Sequence, residues 1–354
     1  MRRFVLAVLL CSTCLAGCPA SRTTRPNTPE AQQAQLPDLG ACHGEKRALT
    51  ISSQMPYYLA RVGTAEGHFV LDFGSNGSYI DTKGFQDGAV PQPVSAPSNP
   101  NSYDGFDFYG SWGTVTLRPQ SYGHIQGKVR QAGKIGTDFL SLHVFTLDYA
   151  NGSVYRANQG TFCTDAVLTE EGFKPATTAG FYSNSPGMGP NDPPNIPAVP
   201  VRVGNVTAVG QIDTGFDDGA VRHSVNINRP FFDALQAAGV RLAPTGRNEP
   251  SLTTCVKDVF DKITSYRLEG GTSFEILAMD GSTIASAPDT VLFLKETPAE
   301  AKSCLGIGGL AFPAAQIGAS FYVDARRIVV DPFASRVWFG PVGSSGRSSA
   351  AGQN

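Results

Sequence analysis

From about residue 40 to residue 340 the chain runs as short stretches of alternating apolar and polar positions, interrupted every few residues by Gly, Pro, Asn or Asp. A period of two puts successive side chains on opposite faces of a strand, so each stretch predicts a strand with one face in a core. Residues 57–62 and 67–71 predict a hairpin closed at Thr64-Ala65-Glu66, and residues 112–117, 200–206 and 274–278 read as further strands. Residues 144–148 and 153–155 flank Asn151-Gly152, a strong hairpin signal because both residues accept the backbone of a tight turn. Residues 328–331 and 336–339 close the second half in the same way. One helix start stands out, Asn228-Arg229-Pro230 with Pro in the first turn, continuing through Phe231 to Ala238. Residues 95–101 read as a surface loop and 176–197 as a linker between two halves.

Composition agrees with an all-β chain. The 354 residues include 39 Gly and 25 Pro, and only 16% are charged, against about 25% in an ordinary soluble protein. That length suggests two domains or lobes. A formal charge of −2 leaves no basic excess for phosphates, so a nucleic-acid partner is not expected. Aromatic residues at 10% argue against bulk disorder.

The N-terminus reads as an address. Arg2-Arg3, an apolar run over residues 4–10 and Leu15-Ala16-Gly17-Cys18 describe a signal peptide over 1–17, too short to span a bilayer. Its ending resembles the bacterial lipobox, which implies that Cys18 is acylated and anchors the chain in the cell envelope. Pro19 in place of Asp leans, by the same resemblance, towards the outer membrane, facing the periplasm. An ordinary secretory signal would leave Cys18 incidental. Residues 18–39 are polar and Pro/Gln/Thr-rich, a flexible tether, and 343–354 read as a disordered tail.

Seven cysteines are present. Cys11 and Cys14 leave with the signal and Cys18 takes lipid, so Cys42, Cys163, Cys255 and Cys304 remain for an oxidising compartment. Four cysteines permit three pairings; pairing within each half favours Cys42–Cys163 and Cys255–Cys304. Their spacing fits no zinc pattern and the five histidines are scattered, so no metal is expected. Gly306-Ile307-Gly308-Gly309 lacks a phosphate-loop Lys, and no other cofactor is implied.

The halves echo each other. Val70-Leu71-Asp72-Phe73-Gly74-Ser75 has a counterpart in Gln211-Ile212-Asp213-Thr214-Gly215-Phe216. Downstream, Lys134-Ile135-Gly136-Thr137-Asp138-Phe139-Leu140 is matched by Gln316-Ile317-Gly318-Ala319-Ser320-Phe321-Tyr322. A lone Asp-Xaa-Gly is an ordinary turn, but the same two blocks in the same order twice is a different observation.

On these residues, across about 40 to 340, the chain resembles the pepsin/retropepsin-like aspartic peptidases. The resemblance implies a two-lobed fold of two pseudo-symmetric β-barrel-like lobes with few short helices, here 40–175 and 198–342. Each lobe of that family contributes an Asp-(Thr/Ser)-Gly loop, which makes Asp72 and Asp213 the catalytic pair and Gly74, Ser75, Thr214 and Gly215 their supports. Tyr109, within Phe108-Tyr109-Gly110-Ser111-Trp112-Gly113, stands where the family carries a flap tyrosine. A hydrophobic or hairpin role for it is the alternative. One chain carrying both loops would act as a monomer on a peptide or protein substrate.

The chemistry stands without the name. Hydrolysing a peptide with no metal or covalent nucleophile needs a base for water and an acid for the carbonyl. Two carboxyls about 3 Å apart cannot both ionise, so together they supply both. Two departures stand out. Phe73 replaces the hydroxyl that the family uses to tie the loops together, and Phe216 replaces the one that bonds the outer oxygen of Asp213, a task Ser75 could perform for Asp72. Asp217 and Asp218 would add negative charge near Asp213. The rival expectation keeps the fold without the chemistry: a lipoprotein that binds an extended peptide or an envelope partner.

Overall fold

The computed structural model describes residues 36–85, 90–94, 100–122, 125–126, 129–178, 196–254, 256–304 and 306–341. The signal peptide, Cys18, most of the tether, most of the 95–101 loop, linker residues 179–195, Cys255 and the 343–354 tail lie outside them. The described chain is predominantly β, with short helices at Thr137–Leu140, Asp165–Glu170, Arg229–Ala237 and Ser320–Ala325. No helix among the described residues is long and apolar enough to cross a membrane.

Three large sheets carry the strands. An eight-stranded sheet is drawn from residues before 136 and a ten-stranded sheet from residues after 197. Both are open, and among the described residues neither closes into the barrel-like lobe that the resemblance implied. A third sheet joins the two halves. Its six strands come from both halves of the chain, in the order Glu45–Ala48, Ser153–Ala157, Val144–Asp148, Arg327–Asp331, Arg336–Phe339 and Lys174–Thr177. Phe145 pairs with Val330 and Leu147 with Ile328 across the join, and at its end Arg327 meets the fully buried Asp148 at 2.9 and 3.0 Å.

Several elements follow the sequence pattern closely. Met55–Val62 and Ala65–Leu71 form the predicted hairpin, with Val62 opposite Ala65, so the turn is Gly63-Thr64, one residue earlier than read. Gly63 takes a φ of 61° there, in the left-handed region that favours glycine. Residues 200–206 are not one strand: Ala198–Val203 and Val206–Ile212 fold back on each other at Gly204-Asn205, Gly204 having a φ of 61°. Residues 112–117 also fail as a continuous strand, only Val115–Thr116 being paired there. The helix Arg229–Ala237 begins where expected, Asn228 Oδ1 accepting from Phe231 N at 3.1 Å. The predicted linker starts as the strand Lys174–Thr177.

Cys42 and Cys163, 121 residues apart, are bonded as predicted. They hold a small apolar cluster of Val144, Leu168, Phe173, Val329 and Trp338 on the joining sheet. Cys304 is also disulfide-bonded. A larger continuous core runs through both halves and includes Phe69, Leu71, Phe73, Ile135, Ile212, Ile317 and Tyr322.

Candidate active site

The two Asp-Xaa-Gly loops are built alike. The strand Ala65–Leu71 lies parallel to Val129–Ile135, with Leu71 opposite Ile135, and Asp72 N donates to Ile135 O at 2.9 Å. The strand Val206–Ile212 lies parallel to Ala314–Ile317, with Ile212 opposite Ile317, and Asp213 N donates to Ile317 O at 3.2 Å. Each loop then folds onto its own carboxylate. Gly74 N donates to Asp72 Oδ1 at 2.9 Å, and Gly215 N to Asp213 Oδ1 at 3.0 Å.

The loops meet face to face. A Cβ on Gly74 would lie 2.3 Å from Asp213 Cγ, and one on Gly215 would lie 2.5 Å from Asp72 Cγ. Each glycine therefore sits against the other loop's carboxyl, and no larger residue leaves room for the pair. Thr214 ties the loops together: its hydroxyl accepts from Phe73 N at 3.0 Å and donates to Leu71 O at 2.5 Å. Asp72 and Asp213 are both buried and interact with each other. Burial first, then the charge of Asp72, pushes the Asp213 carboxyl up to about 8. A pair of carboxyls of which one keeps its proton at neutral pH can act as acid and base together.

The remaining expected residues fall differently. Phe73 is buried in the core beside Phe145, ring centroids 6.5 Å apart, so the hydrophobic position has been absorbed by packing. Ser75 does not bond the outer oxygen of Asp72, because its hydroxyl donates to Gly77 O at 2.8 Å. Phe216 lies against Phe293, and its carbonyl accepts from Ala319 N at 2.8 Å. Asp217 accepts from Gln54 Nε2 at 3.1 Å and Asp218 pairs with Arg247 at 2.8 Å. Neither is a main cause of the Asp213 shift, against expectation.

Tyr109 is a core residue and not a flap tyrosine. Its hydroxyl donates to Val154 O at 2.7 Å, and its ring stacks on Tyr58 with the Arg156 guanidinium 4.8 Å from its centroid. A side chain held from three sides in this way cannot reach a substrate.

Three residues at the site were not singled out from sequence. Lys134 Nζ lies 3.3 Å from Asp72 Oδ2 and 4.6 Å from the centroid of the Tyr79 ring. The buried Tyr322 hydroxyl accepts from Asp213 N at 3.0 Å and donates to Ile317 O at 2.8 Å. Tyr122 has a buried hydroxyl pushed far above its usual range by burial and by the charge of Asp72. For Lys134 a signal existed: a cation stood in an otherwise apolar-apolar-Gly segment. Tyr322 and Tyr122 looked like ordinary β-protein aromatics.

Among the described residues one group has metal-ligand proximity, Cys42, His43 and Cys163. Its two sulfurs are bonded to each other, and the histidine nitrogens lie 2.9 Å from Thr146 Oγ1 and 2.8 Å from Glu171 Oε2. No protein-family model matches the chain, and a search of the curated proteins finds no match.

Proposed function

We propose that the chain is an aspartic endopeptidase of the two-lobed pepsin/retropepsin-like kind, lipid-anchored through Cys18 in the cell envelope and facing the periplasm. The observation that carries this reading is the reciprocal packing of the two loops, with Gly74 against Asp213 and Gly215 against Asp72. Such packing has no value for a turn, and it forces two carboxyls into one buried site where ionising the second is costly.

In the proposed reaction, water lies between the carboxyls with Asp72 ionised and Asp213 protonated. Asp72 takes a proton from the water as its oxygen attacks the scissile carbonyl, and Asp213 gives its proton to the carbonyl oxygen. The resulting diol collapses when the proton on Asp72 passes to the leaving nitrogen and Asp213 recovers one from a hydroxyl. Thr214 and the two glycines hold the geometry, and no cofactor enters.

The test is cleavage of an unfolded protein by the purified chain between pH 3 and 9. The expected result is peptide cleavage that falls as pH rises through about 8, where Asp213 loses its proton. Asp72→Asn and Asp213→Asn should each reduce it at least a hundredfold, both variants remaining folded. Absence of cleavage across peptide libraries would replace this reading with a lipoprotein that binds an extended segment at the same loops.

A further inference from the structure

Lys134 and Gln316 occupy matching places. Each precedes the isoleucine that pairs with the residue before a loop aspartate, and each faces a residue of an antiparallel neighbour strand: Tyr79 for Lys134, Asn226 for Gln316. Gln316 spends its side-chain oxygen on Asn226 Nδ2 at 3.2 Å, a neutral contact. Lys134 reaches the aspartate itself, 3.3 Å from Asp72 Oδ2, with the Tyr79 ring alongside its ammonium. The outer oxygen of Asp72 therefore receives a cation where a hydroxyl was expected, Ser75 having turned to Gly77. Among the described residues, Asp72 has a cation at this distance and Asp213 has none.

We propose that Lys134 is a positioning residue of the aspartate pair: its ammonium holds the pair's negative charge on Asp72 and leaves the shared proton on Asp213. This rests on the peptidase reading for its catalytic meaning, but the electrostatic assignment can be tested without it. The ionisable groups around Lys134 are Asp72 beyond the neighbouring parallel strand, Asp213 across the interface and Tyr79 on the antiparallel strand. Farther out, Arg118 pairs with Tyr79 in the ladder, and Tyr122 and Asp81 come from the segments beyond it. Lys134 is a cation in contact with the pair, and its charge favours ionisation of Asp213. Removing it must move both titrations of the pair to higher pH, since a cation favours every anionic form.

The experiment compares the full chain with Lys134→Met and Lys134→Arg, each by pH–rate profile and by unfolding followed from pH 4 to 10. A carboxyl raised in the folded state contributes stability that is present below its unfolded value and is lost as pH rises through the folded one. For the wild type that loss runs from about 4 to about 8. In Lys134→Met its upper end should move up by roughly one pH unit or more, and both limbs of the rate profile should follow. Lys134→Arg should keep both near the wild-type position. A shift in unfolding with no cleavage by the wild type would sink the peptidase reading and keep the Lys134 assignment. An unmoved titration in Lys134→Met, or an equal shift in Lys134→Arg, would overturn the assignment whether or not the wild type cleaves.

Discussion

One hydroxyl does most of the work of joining the two loops. Thr214 satisfies a buried donor, Phe73 N, and gives its own proton to a buried acceptor, Leu71 O. Thr214→Val keeps the volume and removes both bonds, leaving two backbone groups of the opposite loop without this partner. Urea unfolding should register a loss of about 1–3 kcal/mol, and cleavage should fall further than stability does because the carboxyls lose their alignment. The Asp72–Asp213 pair could be read from the chain because a turn motif recurred with a second block at matched spacing. Lys134 could not be read as easily: a segment taken as apolar hides a cation until its register with the aspartate strand is known. Tyr109 misled for the opposite reason, since its hydroxyl partner, Val154 O, lies 45 residues on in a strand that pairs elsewhere.

Elements set by local chemistry were legible. Asn151-Gly152 closes the hairpin it predicts, Val144–Asp148 against Ser153–Ala157, and Asn228 with Pro230 starts the helix they predict. Errors came where a turn was weak in sequence. Gly204-Asn205 reverses the chain within what read as one alternating run, and the run at 112–117 is broken because Trp112 turns inward, its indole donating to Phe108 O at 2.7 Å. The joining sheet shows how much one element can hold. Asp148 accepts from Asn151 N and Nδ2, so it secures the hairpin turn, and it also receives Arg327 from the far end of the chain. Arg327→Met would leave a fully buried carboxylate without its cation, at a cost of about 3–5 kcal/mol. Chemical denaturation at pH 7 should show it.

At the scale of the whole molecule, the long-range pairing was the part that sequence reading did not reach. Nothing in the run at 327–331 says that its partner is 144–148; that choice depends on two apolar strands nearly 180 residues apart finding a common register. The consequence matters for the site. The sheets stay open where closed lobes were expected, strands of both halves pair in the joining sheet, and the two aspartate loops face each other. The surroundings of the pair are asymmetric: a lysine lies at the Asp72 carboxylate, and a tyrosine hydroxyl accepts from the backbone of Asp213.

Asp72 and Asp213 should hold one proton between them at neutral pH. Carbon-13 labelling of the aspartate side chains and titration of their carboxyl signals from pH 3 to 10 measures this directly. One buried carboxyl should remain protonated at pH 7, ionise near pH 8 and be missing from Asp213→Asn. If every aspartate carboxyl has ionised by about pH 6, the two loops do not form a proton-sharing pair and the account fails.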